Sequence, residues 1–191
     1  MVFSWLDIFF LRKEAKKLFQ LLNIRPGMSV AEIGGGNGAF SVLLAKEVGS
    51  LGFVFTTEFE RKKLNKIIRK AEKSDLANLQ TGLASAENPN LPERQFDIIF
   101  MRKVYHHFTH SDSQNLEFYK HLKLGGKLAI VDFEPKWYLK LSQPKGIPKQ
   151  YGGHGIFKNV LIEEVEKTGF KLKKLMEDFE GREYCAIFEK H

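Results

Sequence analysis

Residues Glu32-Ile33-Gly34-Gly35-Gly36-Asn37-Gly38 stand between a short apolar run, Met28 to Ile33, and a helical pattern, Ala39 to Val48. Glycines at such a strand-to-helix turn permit positive φ and let a ligand approach backbone where any Cβ would collide. Gly52 to Thr57 (GFVFTT) reads as a second strand, and Glu58 ends it, twenty-four residues after Gly34. In a doubly wound sheet both places lie on the carboxyl edge beside the switch point, where a carboxylate accepts hydrogen bonds from ribose hydroxyls. Strand, glycine loop, helix, strand and terminal acid in this order are far more specific than a glycine cluster alone. The ligand stays open at this level, because Gly34-x-Gly36-x-x-Ala39 also satisfies the dinucleotide pattern G-x-G-x-x-G/A.

The same alternation continues along the chain. Leu11, Ala15, Leu18, Phe19 and Leu22 give an amphipathic helix stopped by Arg25-Pro26-Gly27. Residues 61–73 form a basic helix, Leu79 to Leu83 a third strand, and Phe96 to Met101 (FDIIFM) a fourth, apolar on both faces as a buried parallel strand requires. Ser111-Asp112-Ser113-Gln114 has the capping-box pattern and opens a helix expected to close at Gly125-Gly126. Lys127 to Phe133 is a fifth strand, Ile156 to Thr168 a further helix, and Lys171 to Met176 with Tyr184 to Glu189 a terminal antiparallel hairpin. Right-handed βαβ units predict an α/β fold, Rossmann-like and doubly wound, with seven mostly parallel strands and helices on both faces. Residues 1–25 read as an amphipathic helix or lid, and 26–191 as the binding domain.

With 191 residues and one cysteine, the chain is long enough for one domain and has no intramolecular disulfide or cysteine-based zinc site. The longest apolar run, Val2 to Leu11, is interrupted by Asp7 and followed rather than preceded by bases, so neither a spanning helix nor a secretory signal is expected. A reduced, cytoplasmic protein is the expectation.

The net charge is +7, and residues 61–73 (RKKLNKIIRKAEK) hold seven bases against one acid. Leu64, Ile67, Ile68 and Ala71 fall at i, i+3, i+4 and i+7, which turns the bases outward on a surface helix. That face is either simply solvated or an RNA contact, although no aromatics interleave for base stacking.

From Ile24 to the C-terminus the chain resembles the class I S-adenosylmethionine-dependent methyltransferases. EIGGGNG matches their E/D-x-G-x-G-x-G loop, and TTEFE supplies the ribose acid. LPERQFDIIFMRKVYHHF is similar to the block around the fourth strand, LKLGGKLAIVDF to the LKPGG turn and fifth strand, and the last residues to the closing hairpin. VYHHF and VDFEP are especially similar to small-molecule methyltransferases of the ubiquinone/menaquinone-biosynthesis type. The resemblance implies S-adenosylmethionine as cofactor, with Glu32 among the binding residues, Gly34, Gly36 and Gly38 against the methionine moiety, Glu58 on the ribose and Phe59 along the adenine. Met101 would also border the cofactor. Where the family often has an acid after the third strand, Gly82-Leu83-Ala84-Ser85 stands here, and backbone amides of Ala84 or Ser85 take that contact. No Asn/Asp-Pro-Pro-Tyr/Phe block follows the fourth strand; Met101-Arg102-Lys103-Val104-Tyr105 stands in its place, which argues against exocyclic-amino methylation of nucleic-acid bases and of glutamine side chains.

Methyl transfer from a sulfonium is an in-line displacement whose leaving group needs no acid, so a base matters only if the acceptor must lose a proton. His106 and His107 follow the fourth strand, and His154 lies in the glycine-rich end of the loop after the fifth; these three are the candidate bases. One of the adjacent pair is expected to turn inward. No metal site is expected of them, since acids nearby are few. Asp132, ending the fifth strand, either orients a histidine or receives backbone amides. The aromatics Phe3, Trp5, Phe9 and Phe10 pack as a lid or touch a membrane interface. The reading is methyl transfer to a small, apolar or aromatic acceptor. The alternatives are an RNA-binding protein or RNA methyltransferase using helix 61–73, and a non-catalytic nucleotide-binding regulator.

Overall fold

The chain runs α1 (Trp5–Leu22), β1 (Ser29–Ile33), α2 (Ala39–Val48), β2 (Phe53–Glu58), α3 (Arg61–Lys73), β3 (Leu79–Leu83) and β4 (Phe96–Arg102). A 3-10 turn (Tyr105–His107) follows, then α4 (Ser111–His121), β5 (Leu122–Phe133), α5 (Lys158–Glu166), β6 (Phe170–Glu180) and β7 (Glu183–Lys190). The computed structural model describes residues 5–135, 146, 148, 151 and 155–191, with the backbone alone over 5–8. The strands form one sheet in the order β3-β2-β1-β4-β5-β7-β6. The first five pair in parallel, and β7 enters antiparallel between β5 and β6. The expected Rossmann-like sheet and closing hairpin are what form. Chain order reverses where β1 lies between β2 and β4, so the loop after β1 opens at the switch point.

Period-two alternation splits the core into two layers. In β4, Ile98 and Phe100 face the layer of α1, α2 and α3, while Ile99 and Met101 face that of α4 and α5. All four are at most 2% exposed, and each such burial stabilises by about 1.5–3 kcal/mol. Ala15, Leu18, Phe19 and Leu22 of α1 lie in the first layer beside Leu44 and Val48 of α2, so that half of α1 is part of the domain's core.

Several boundaries differ from the sequence reading. The capping box does not form: His110 is the N-cap of α4, and the Gln114 amide donates instead to Ser85 O and Ala86 O at 3.1 and 3.0 Å. A fully buried amide finds its partners where burial puts them. Helix α4 ends at His121 rather than at Gly125, because Leu122 already pairs with Phe96 of β4. Lys127 pairs with Ile98, so five positions along β5 oppose two along β4, and the glycines sit in that irregularity. Asp97 braces this end: its carboxylate accepts from Ser29 N at 2.8 Å and from Lys123 Nζ at 2.6 Å. It lies at the start of β4, at the opposite edge from the glycine loop.

Candidate active site

At the carboxyl edge the glycine loop is pinned by backbone. Gly34 N and Gly35 N both donate to Thr57 O, at 2.9 and 3.0 Å, and Asn37 Oδ1 caps α2 by accepting from Ala39 N at 2.9 Å. Gly34, Gly36 and Gly38 have φ of 76°, 58° and 76°, the left-handed region that a Cβ penalises. A Cβ on Gly38 would lie 2.9 Å from Ile67 Cα, so α3 can pack this closely only against glycine. A Cβ on Gly36 would meet nothing within 4 Å and would project into space that a ligand needs.

Glu58 completes this cradle. Its carboxylate accepts from Gly36 N at 2.8 Å and Phe59 N at 2.9 Å, with Glu60 N at 3.3 Å. The side chain is 5% exposed and still borders the cleft. Glu32 lies deeper, buried, and accepts from the hydroxyls of Ser41 and Thr56. Burial pushes its carboxyl up, opposed in part by those two hydrogen bonds.

The facing wall comes from the residues after β4. Lys103 adopts φ 58°, its amide donates to Val131 O at 2.8 Å, and its ammonium pairs with Glu183. Such a backbone costs about 1–3 kcal/mol in a residue with a side chain and re-aims the chain into the 3-10 turn. Arg102 holds Glu14 of α1 with both carboxylate oxygens, at 2.9 and 3.1 Å. His106 is 5% exposed; its Nδ1 lies 2.8 Å from Asp132 Oδ1, and its ring meets that of His107 at 4.0 Å. His107 borders the cleft, as do Val104 and Phe108. The cleft between glycine loop and turn is about 530 Å³, within the range of small-ligand sites.

A methyltransferase-domain profile matches residues 24–181. The chain belongs to the methyltransferase-domain family. Among curated proteins, this methyltransferase is 29% identical over 119 residues to the ubiquinone/menaquinone biosynthesis C-methyltransferase UbiE of Cupriavidus metallidurans, covering 60% of this chain and 47% of that one. It is 32% identical over 114 residues to UbiE of Laribacter hongkongensis, with 60% and 46% covered. The chain thus spans about half the length of the curated relatives it matches. Among solved structures, a SAM-dependent methyltransferase from Aquifex aeolicus superposes with TM-score 0.69 at 24% identity over 98% of each chain, a likeness of fold. The family matched is that of a methyltransferase domain, and the Aquifex aeolicus protein of like fold is a SAM-dependent methyltransferase.

The structure gathers part of what the sequence singled out. Gly34, Gly36, Glu58, Phe59 and His107 share the cleft. Glu32 and Gly36 meet again in a smaller recess behind the loop, about 250 Å³, with Leu11 and Arg102. Gly38 packs on α3 outside the cleft. Met101 is fully buried in the second core layer, since the odd positions of β4 point there, and the cleft begins one residue later at Arg102. The amides of Ala84 and Ser85 are already committed, to Glu58 O and Asn88 O at 2.9 Å each; Ala86 is the residue of that loop that borders the cleft. His106 turns inward. His154 and Phe3 lie outside the described residues, as does the side chain of Trp5.

Sequence reasoning missed one cluster. Tyr105 and Tyr151 both donate to Glu164 Oε2, at 3.1 and 2.7 Å, and Asn115 donates to Tyr105 Oη at 2.8 Å. Burial raises both phenols well above their ordinary range, with Glu164 adding to the rise. No spacing rule links residues this far apart; the only signal was a Tyr beside a glycine pair.

Proposed function

We propose that this chain transfers a methyl group from S-adenosylmethionine to a small, apolar or aromatic acceptor held beside His107. The observation that carries the reading is the Glu58 carboxylate, nearly buried at the cleft and fixed 2.8 Å from Gly36 N. A ribose offers hydroxyl donors to such an acceptor-only group. When bound, S-adenosylmethionine supplies an electrophilic methyl on a sulfonium. Gly34 and Gly36 give the methionine moiety close backbone, while Phe59 lies along the adenine. Val104 and Phe108 provide an apolar wall that excludes water from the acceptor.

His107 takes the acceptor's proton where one must leave. His106 positions it: the Asp132 carboxylate accepts from His106 Nδ1, from His106 N and from Phe133 N, an all-acceptor pattern that leaves the proton on Nδ1. The names of the curated relatives make an aromatic ring carbon the first acceptor to try. The smaller cofactor question comes before it. Calorimetric titration with S-adenosylhomocysteine, with NAD in a parallel cell, is the test. Micromolar binding of the former alone supports the reading, and binding of NAD instead overturns it. Methylation of quinone precursors, phenols and amines then separates the acceptor classes. Specific methylation of an RNA in place of these would overturn the small-molecule assignment.

A further inference from the structure

Helix α1 carries two stripes. Leu11, Ala15, Leu18 and Leu22 fall at i, i+4, i+7 and i+11 and pack on the core. Phe9, Lys13, Lys16 and Gln20 repeat the same spacing on the opposite side, and all four are exposed. Phe9 and its neighbour Phe10 are 53% and 61% exposed and meet edge to face at 5.9 Å. Both rings are more than half exposed, on a helix whose other side packs on the core. Exposed aromatics side by side mark a surface for interaction.

The charge around them is positive and not neutralised by side-chain ion pairs. Some lysines have a carboxylate partner, such as Lys17 with Glu180, Lys120 with Glu117 and Lys167 with Glu163. Among the described residues Arg12, Lys13 and Lys16 of α1 and Lys46 of α2 make no ion pair. Helix α3, on the same side of the sheet, adds its own unpaired bases, including Lys62, Lys66 and Arg69. Between α1 and α2 runs a groove of about 380 Å³ with Arg12, Lys16 and Lys46 on its rim, beside Glu47, and Ala15, Phe19 and Leu43 as its apolar floor.

We propose that the α1–α2–α3 face docks on an anionic lipid bilayer, with Phe9 and Phe10 entering the acyl boundary and the unpaired bases of α1 and α2 over the headgroups. Exposed aromatics beside lysines on one helix side are the composition of an interfacial helix, in which apolar burial and attraction to anionic lipid act together. Nucleic acid fits less well, because the densest bases, on α3, have no ring among them for stacking. The docked face also lies near the chemistry. Leu11, next to Phe10, borders the recess behind the glycine loop, so the bilayer comes up to the end of α1 that adjoins the cleft.

The test is co-sedimentation of the full chain with phosphatidylcholine vesicles, with and without phosphatidylglycerol. Binding is expected only where phosphatidylglycerol is present, weakening as salt rises. Phe9→Ser with Phe10→Ser, and separately Lys13→Glu with Lys16→Glu, should each lower partitioning by about tenfold or more. Both double variants should keep the parent's circular dichroism, melting temperature and S-adenosylhomocysteine affinity, since these side chains leave core and cleft untouched. No sedimentation, equal partitioning into neutral vesicles, or partitioning indifferent to Phe9 and Phe10 overturns the proposal. Tight binding of a labelled RNA oligomer that lipid does not compete away assigns the face to nucleic acid and overturns it too.

Discussion

His106 is tied to Asp132 twice, through its ring Nδ1 at 2.8 Å and its backbone amide at 3.3 Å, each to a different carboxylate oxygen. The adjacent His107 is thereby carried on a turn whose geometry a buried carboxylate sets. The two histidines hold different places in spite of their adjacency: one is a buried strut, and the other borders the cleft.

That division predicts unequal variants. His107→Ala should lower kcat by about 10²–10⁴-fold while S-adenosylhomocysteine affinity holds, the span of a lost general base. Asp132→Asn should also lower kcat, and it should shift the pH–rate profile rather than the cofactor's Kd, because the amide reverses the proton on His106. Steady-state kinetics over pH, beside calorimetry, checks both. An Asp132→Asn enzyme with the parent's profile would remove the positioning role.

Glu58→Ala removes the acceptor of three backbone amides and the proposed ribose partner. Hydrogen bonds to a charged group contribute about 1.5–3 kcal/mol each, so a single lost contact weakens S-adenosylhomocysteine binding by about tenfold to a hundredfold. Glu58→Gln, which keeps an acceptor oxygen, should lie between. Calorimetric Kd values for the three proteins decide.

Gly36→Ala and Gly38→Ala should fail in different ways. At Gly36 a Cβ meets nothing, so the fold pays only the left-handed backbone, about 1–2 kcal/mol, while cofactor binding is lost. At Gly38 a Cβ is driven against Ile67 backbone, so melting temperature drops further, by the equivalent of about 1–3 kcal/mol beyond that strain. Thermal melts and titrations on the same two variants separate the roles.

Glu32 gives a pH signature. Its folded-state carboxyl is raised above the ordinary 4.5 by burial, so the folded protein holds that proton more tightly than the unfolded chain does. Its contribution to stability is therefore full below about pH 4.5 and is lost as pH rises through the folded value. Glu32→Gln, whose amide oxygen can accept from both hydroxyls, should raise the melting temperature at neutral pH. The gain should vanish in acid, as melts from pH 4 to pH 8 would show.

The strand, glycine-loop and helix half of the fold was legible because local rules govern it. Strand, glycine turn and terminal acid are neighbours in sequence, and α2 and β3 form over the residues that their periodicity predicted. What failed depended on distant partners. Gln114 looked like a capping residue and is spent on the loop at Ser85, twenty-nine positions away. Met101 looked like part of the site, yet strand alternation aims it at the core. The amides of Ala84 and Ser85 looked available until the turn around Asn88 claimed one of them and Glu58 the other. The histidine pair could be placed but not divided, since only the position of Asp132 across the sheet decides which ring turns in.

The Tyr105–Tyr151–Glu164 cluster separates two kinds of heritable change. Phe133 is fastened on one side, its carbonyl accepting from Ile156 N at 3.0 Å, and Tyr151 on the other, through Glu164. Substitutions between positions 133 and 151 replace none of the atoms that make these two contacts. A chimera spliced at Phe133 and Tyr151 should therefore keep its host's melting temperature and S-adenosylhomocysteine affinity, since both posts and the glycine loop come from the host.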